Sequence, residues 1–221
     1  MKTLKKTLFL AGLVLAFPAF AGAAQALPAR IAMLGDSLTY RFDWQASLPG
    51  TKAYNFGVDG DTTVDVLARL DSVVGQKPDV VFLQIGINDL GRLSAPYDAS
   101  PAPSWAMAAQ QVFAGHKKIW NVLRVALPDS SLYVCSCLPV SRELDSEFQG
   151  INHAVRALNA LLEGEAHSQG LVFIDLYSAM NDGEGYLAAA FSVDGIHLSP
   201  AGYAVWLERM RAVIGERICS F

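Results

Sequence analysis

The sequence predicts a parallel β-sheet covered by helices on both faces, on three observations. Short apolar runs of strand length alternate with segments of helical period, no internal repeat intervenes, and clusters of polar residues follow directly on apolar runs. The runs are residues 31–34, 53–56, 80–85, 132–138 and 171–174, rich in β-branched and aromatic residues. Between them lie four apolar faces of helical spacing: Leu67, Leu70, Val73 and Val74; Phe113, His116, Ile119, Trp120 and Leu123; Ile151, Val155, Leu158 and Leu162; Tyr203, Trp206, Leu207, Met210 and Ile214. Such alternation builds βαβ units, whose sheet is buried on both sides. Ligands of a sheet of this kind gather at the carboxyl ends of its strands.

Residues 1–26 read as a cleavable secretory signal rather than as part of the fold. Lys2, Lys5 and Lys6 form a positive n-region, Leu8 to Phe17 an apolar h-region, and Ala24-Gln25-Ala26 a small-x-small cleavage site. The h-region is shorter than the ~20 residues of a spanning helix, and no cysteine follows it to carry a lipid. The expectation is one domain over residues 27–221, exported to a periplasm or the exterior, soluble and without a membrane anchor after cleavage. Its length suffices for a substantial core.

The 221-residue chain carries a formal charge of −4, which becomes about −7 once the three leader lysines are lost. That balance argues against nucleic acid and against an anionic membrane surface, and leaves a neutral small-molecule ester open as partner. Of the three cysteines, Cys135 and Cys137 stand two apart in a strand-like run and are expected on the same side of the sheet, with Cys219 in the tail. One of the pair can join Cys219 in an oxidising compartment; the connectivity stays open. Cys-x-Cys without nearby histidine offers too few ligands for a metal, and Asp59-Gly60-Asp61 lacks the oxygen count of a calcium loop. No metal or cofactor is expected. Asp61 ahead of Thr62-Thr63 reads as a helix N-cap.

Four clusters carry the chemistry. The run Ile31-Ala32-Met33-Leu34 enters Gly35-Asp36-Ser37, placing a serine at a helix N-terminus, where free N–H groups favour negative charge. Near the other end stands Asp194-Gly195-Ile196-His197. An aspartate three residues before a histidine can reach Nδ1–H from the same loop and leave Nε2 to take a proton from a serine; a capped loop is the plain structural reading, with Ser199 and Pro200 as N-cap and first helical residue. Between them lie Asn55-Phe56-Gly57-Val58-Asp59-Gly60-Asp61 and Gly86-Ile87-Asn88-Asp89. Asn88 also suits a turn. His116 on an apolar helix face reads as a core or edge histidine, and His153 and His167 lie near helix ends.

In order, Gly35-Asp36-Ser37-Leu38, Gly57, Gly86-Ile87-Asn88-Asp89 and Asp194-Gly195-Ile196-His197-Leu198 resemble the four signature blocks of the GDSL, or SGNH, hydrolases, over nearly the whole chain beyond residue 27. The resemblance implies a flavodoxin-like α/β/α sandwich with a five-stranded parallel sheet. It further implies Ser37 as nucleophile, His197 as general base and then acid, and Asp194 as its orienter. The N–H groups of Ser37 and Gly57 and the amide of Asn88 would form the oxyanion hole. The G-x-S-x-G elbow of ordinary α/β-hydrolases fits less well, because Thr39 stands where its second glycine belongs.

Its closing segment is similar to the compact acetylhydrolase-like branch, which removes small acyl groups from lipids or sugars. The lysophospholipase and thioesterase branch is the alternative, and a non-catalytic carbohydrate- or lipid-binding module on the same fold is the alternative of another class. Specificity is expected from the loop running from about Leu90 to Ser104, with Arg92 and Tyr97. Phe42 and Trp44 are either an aromatic wall or packing under the first helix.

Overall fold

A computed structural model describes residues 29–94 and 104–218. The expected leader, the segment around Tyr97 and Cys219 lie outside the described residues. Five strands, β1 (Arg30–Gly35), β2 (Lys52–Gly57), β3 (Val80–Gln84), β4 (Ser131–Cys135) and β5 (Val172–Ile174), form one all-parallel sheet in the order β2-β1-β3-β4-β5. All five runs read from the sequence are strands. The order reverses direction at β1, so a crevice opens between the carboxyl ends of β1 and β3.

Between β1 and β2 come two single turns, α1 (Ser37–Tyr40) and α2 (Trp44–Ser47). Trp44 donates its indole N–H to Thr39 O at 2.8 Å and meets Phe42 and Trp206 edge-on, while Phe42 stacks on Tyr203. These aromatics are core packing, not a substrate wall. Between β2 and β3 lie α3 (Thr63–Ala68) and α4 (Leu70–Gly75). The N-cap of α3 is Thr62, not Asp61: Thr62 takes extended angles and exchanges bonds with Asp65, a reciprocal capping box that a residue one position earlier cannot form. Asp61 instead pairs with Arg69 at 2.7 Å.

Beyond β3, α5 (Ile87–Ser94) and the long α6 (Trp105–Ala126) lead to β4. The loop expected from Leu90 therefore starts a full turn later, because Ile87 and Leu90 are core residues one helical turn apart.

Past β4, Ser136 N–H still bonds Ile174 O of β5 at 2.9 Å, but Cys137 to Val140 leave the sheet ladder. Their polar groups are met by two asparagines of α8 (Ile151–Ser168), which follows α7 (Arg142–Glu147). Asn159 brackets Cys137, accepting from its N–H at 2.8 Å and donating to its carbonyl at 2.9 Å; Asn152 does the same at Val140. Leaving the ladder breaks the two-residue alternation. Cys135 and Cys137 consequently face opposite sides of the sheet, each a buried free thiol. After β5 come α9 (Tyr177–Met180), an irregular stretch, and α10 (Pro200–Ile218), where Ser199 and Pro200 start the helix as expected.

Two apolar cores flank the sheet. One joins Ala32, Leu34, Val81 and Leu83 to α3–α6 and α8; the other joins Ile31, Met33, Phe82 and Tyr133 to Trp44, Leu176 and α10. Each core holds one alternate set of strand residues, which fixes the register and presents the strand ends as one rim. Among the described residues no helix is long and apolar enough to cross a membrane.

Candidate active site

Every cluster singled out in the sequence arrives at that rim. Asp36 caps α1, its Oδ1 accepting from Leu38 N at 3.0 Å, while the N–H groups of Thr39 and Tyr40 turn back to Asp36 O. The turn leaves Ser37 N–H without a hydrogen bond among the described residues. Because α1 is one turn long, attraction of negative charge here rests on individual N–H groups rather than on a helix dipole. Burial pushes the fully enclosed Asp36 carboxyl up to about 7.

His197 comes from the irregular stretch before α10, 160 residues from Ser37, and its Nε2 lies 3.1 Å from Ser37 Oγ. Asp194 holds the ring from behind. Its Oδ2 is 2.6 Å from His197 Nδ1, while Oδ1 accepts from the N–H groups of Ile196 and His197 at 3.1 and 2.8 Å. Partial burial alone would raise the Asp194 carboxyl, but the hydrogen bonds from His197 and Ile196 outweigh it and hold the group down at about 2. An ionised acceptor at Nδ1 places the ring proton there and leaves Nε2 with its lone pair toward the serine. The fully buried His116 is removed from this chemistry: Nε2 sits 3.2 Å from Ile85 O, and burial lowers its pKa to about 4.

Asn88 occupies the second position of α5, with Nδ2 donating to Asp61 O at 2.9 Å and one N–H left over. Its neighbour Asp89 accepts from Thr63 N–H and from Thr63 Oγ, at 2.6 Å for the hydroxyl, locking the start of α5 onto α3.

Gly57 does not stand as the sequence suggested. Its N–H donates to Asn55 Oδ1 at 2.9 Å, because the asparagine side chain folds back over the end of β2. A Cβ on Gly57 would lie 2.1 Å from Tyr40 N, so the glycine serves the close approach of β2 to the turn after Ser37. The glycine whose N–H carries no hydrogen bond among the described residues, and which lines a cavity together with Asn88, is Gly60, at φ +79°. Its signal in the sequence is Asp59-Gly60-Asp61, a turn that calls for positive φ.

Arg69 is a residue the sequence reading passed over. Its guanidinium bonds Asp61, Gly35 O and Phe56 O at 2.7, 3.0 and 2.9 Å, tying the ends of β1 and β2 to the segment that holds Asn88. A lone arginine after a helical face carries no sequence signal of that reach.

The carboxyl-end crevice and the Ser37, His197 and Asp194 constellation are those of an enzyme that hydrolyses ester bonds. The chain belongs to the GDSL-like lipase/acylhydrolase family, whose model matches residues 33–205. Among curated relatives it is 27% identical over 183 residues to platelet-activating factor acetylhydrolase IB subunit alpha1 of Pongo abelii, covering 79% of this chain and 70% of that one. Its fold is similar to that of a GDSL-like lipase from Bacteroides thetaiotaomicron, with TM-score 0.68 at 20% identity, covering 88% of this chain and 93% of that one. A lipase/acylhydrolase from Enterococcus faecalis is similar with TM-score 0.63 at 20% identity, over 86% and 96% of the two chains.

Proposed function

We propose that this chain is an exported serine esterase that hydrolyses carboxylic esters of short acyl groups, on lipids or glycans, through an acyl-enzyme on Ser37. The observation that carries the proposal is the continuous relay from Ser37 Oγ through His197 to Asp194. Ser37 Oγ attacks the ester carbonyl carbon while its proton passes to His197 Nε2, and the carbonyl electron pair moves onto oxygen. The N–H groups of Ser37 and Gly60 and the free N–H of Asn88 face that oxyanion. Collapse breaks the bond to the alcohol, which leaves with the proton from Nε2. Water then adds to the acyl carbon as His197 takes its proton, and the carboxylic acid departs with Ser37 restored.

Export rests on the leader-like composition of residues 1–26. A short acyl group is supported by the likeness to an acetylhydrolase subunit. The test is covalent: a fluorophosphonate should add once per chain, at the Ser37 peptide, and abolish hydrolysis of p-nitrophenyl acetate in step with labelling. Hydrolysis that persists in fully labelled protein would remove Ser37 from the mechanism. Asn88→Ala is expected to lower kcat by ~10²–10³ with KM little changed, the usual cost of one oxyanion donor; steady-state kinetics on the same ester check it. A rise in KM alone would make Asn88 a substrate-binding group.

A further inference from the structure

We propose that Arg92 is a positioning residue of the oxyanion hole, which keeps the N–H of Gly60 in register with the amide of Asn88 by gripping the carbonyl of Gly60. The proposal rests on the esterase reading above and adds to it how two of the oxyanion donors are kept together. Those donors come from separate elements. Asn88 stands in the first turn of α5, whereas Gly60 stands in the turn from Val58 to Asp61 that joins β2 to α3, closed by a bond from Asp61 N–H to Val58 O at 3.2 Å. Gly60, at φ +79°, has no side chain to pack and is the least restrained residue of that turn. A single oxygen must meet both donors at about 2.7–3.1 Å, so the turn has to be fixed to α5.

The helix α5 supplies the fixing. Asn88 and Arg92 are four residues apart on one helix face, and Gly60, Asn88 and Arg92 line one cavity. Asn88 Nδ2 donates to Asp61 O at 2.9 Å and Arg92 Nη2 donates to Gly60 O at 2.9 Å, so two successive carbonyls of the turn are tied to the same helix. The other side of the turn is tied to the segment of the nucleophile: Arg41, four residues beyond Ser37, donates from Nε to Asp59 Oδ1 at 3.2 Å. Gly60 is thereby held between the segments that carry the other two donors.

The contact of Arg92 with Asp65 does not account for the arginine. Nitrogen and oxygen are 3.7 Å apart, the two side chains are 65% and 44% exposed, and the same Asp65 oxygen already accepts from the N–H and the hydroxyl of Thr62 at 2.9 and 2.6 Å. An ion pair so exposed contributes little to stability. The short bond that Arg92 makes is the one to Gly60 O.

The test is Arg92→Met, which keeps helix propensity and a long stem and removes every donor, with Asp65→Asn as its control. On p-nitrophenyl acetate Arg92→Met should lower kcat by roughly 10- to 50-fold with KM within about threefold of wild type, the order of loss expected when a group is misplaced by less than about 1 Å. A trifluoromethyl ketone reports the same geometry without a leaving group: Ser37 Oγ bonds its carbonyl carbon, the hydroxyl proton passes to His197 Nε2, and the π pair stays on oxygen as a hemiketal oxyanion. Its Ki should rise by the factor by which kcat/KM falls. Thermal denaturation should move by no more than a few degrees, and Asp65→Asn should keep kcat within about twofold. A folded Arg92→Met with kcat within about threefold of wild type, a rise in KM alone, a loss of kcat with Ki unchanged, or an equal loss in Asp65→Asn would overturn the proposal, while wild-type turnover and Ser37 labelling keep the esterase reading intact. Failure of Arg92→Met to fold would make Arg92 a residue of the fold and overturn the proposal as well. Absence of both turnover and labelling in the wild type would remove the two readings together.

Discussion

Ser37→Ala should lower kcat on every ester the protein hydrolyses by roughly 10⁴–10⁶, with KM close to wild type. The size of the effect follows from what remains. Without Oγ no acyl-enzyme forms, and His197 Nε2 faces a methyl group in place of the hydroxyl now 3.1 Å away. The residual rate is water attacking an ester held by the oxyanion donors, worth ~10³–10⁴ over solution. The loss will not come from unfolding: Ser37 Oγ bonds His197 at the rim, and the turn is held by Asp36 through Leu38, Thr39 and Tyr40. Thermal denaturation within a few degrees of wild type, alongside kcat and kcat/KM, completes the measurement. Because the relay acts as a unit, adding His197→Ala to Ser37→Ala should cost little more, whereas each alone costs most of the total. Retention of more than a tenth of the activity in Ser37→Ala would place the chemistry elsewhere.

The fold was legible because the three inner strands, β1, β3 and β4, are apolar runs buried on both faces, a pattern with few competing readings. The helices α6, α8 and α10 were legible from their apolar stripes, whereas the stripe from Leu67 to Val74 hid the break at Arg69 that divides α3 from α4. What stayed hidden depends on partners distant in sequence. The reach of β4 was overstated because Cys137 to Val140 is as apolar as a strand; only the side chains of Asn152 and Asn159, contributed by α8, show that Cys137 and Val140 pair with a helix instead. The exchange of Cys137 to the opposite face follows from the same cause. Within the site, the Asp194–His197 contact was legible because both residues share one loop. The choice between Gly57 and Gly60 was not, since two glycines three apart offer the same residue type and only the fold-back of Asn55 consumes one N–H. Arg69 illustrates the remainder: three acceptors on three segments converge on one guanidinium.

Asp194→Asn should lower kcat by roughly 10³–10⁴ while leaving KM and the loop in place. The asparagine oxygen can keep the bonds from Ile196 N–H and His197 N–H, so the turn that presents the imidazole survives. The difference lies at the second position, where a carboxylate oxygen 2.6 Å from Nδ1 is replaced by an amide that donates. Nδ1 must then accept, the ring proton moves to Nε2, and the atom facing Ser37 can no longer take its proton. The carboxyl is held near 2, below its ordinary 3.8, so the wild-type contact is fully charged above about pH 4. Its contribution to stability is present there and is lost only as the pH falls toward 2. Ionisation of Asp194 itself therefore adds no pH dependence between pH 5 and 8, and fluorophosphonate labelling of Ser37 should slow by the same factor as kcat. The side chain of Asp194 is 47% exposed, against 19% for His197, so water has access to the carboxylate. A loss smaller than tenfold would mean that solvent orients the imidazole as well as the carboxylate does, and Asp194 would then be a loop residue rather than a partner in proton transfer.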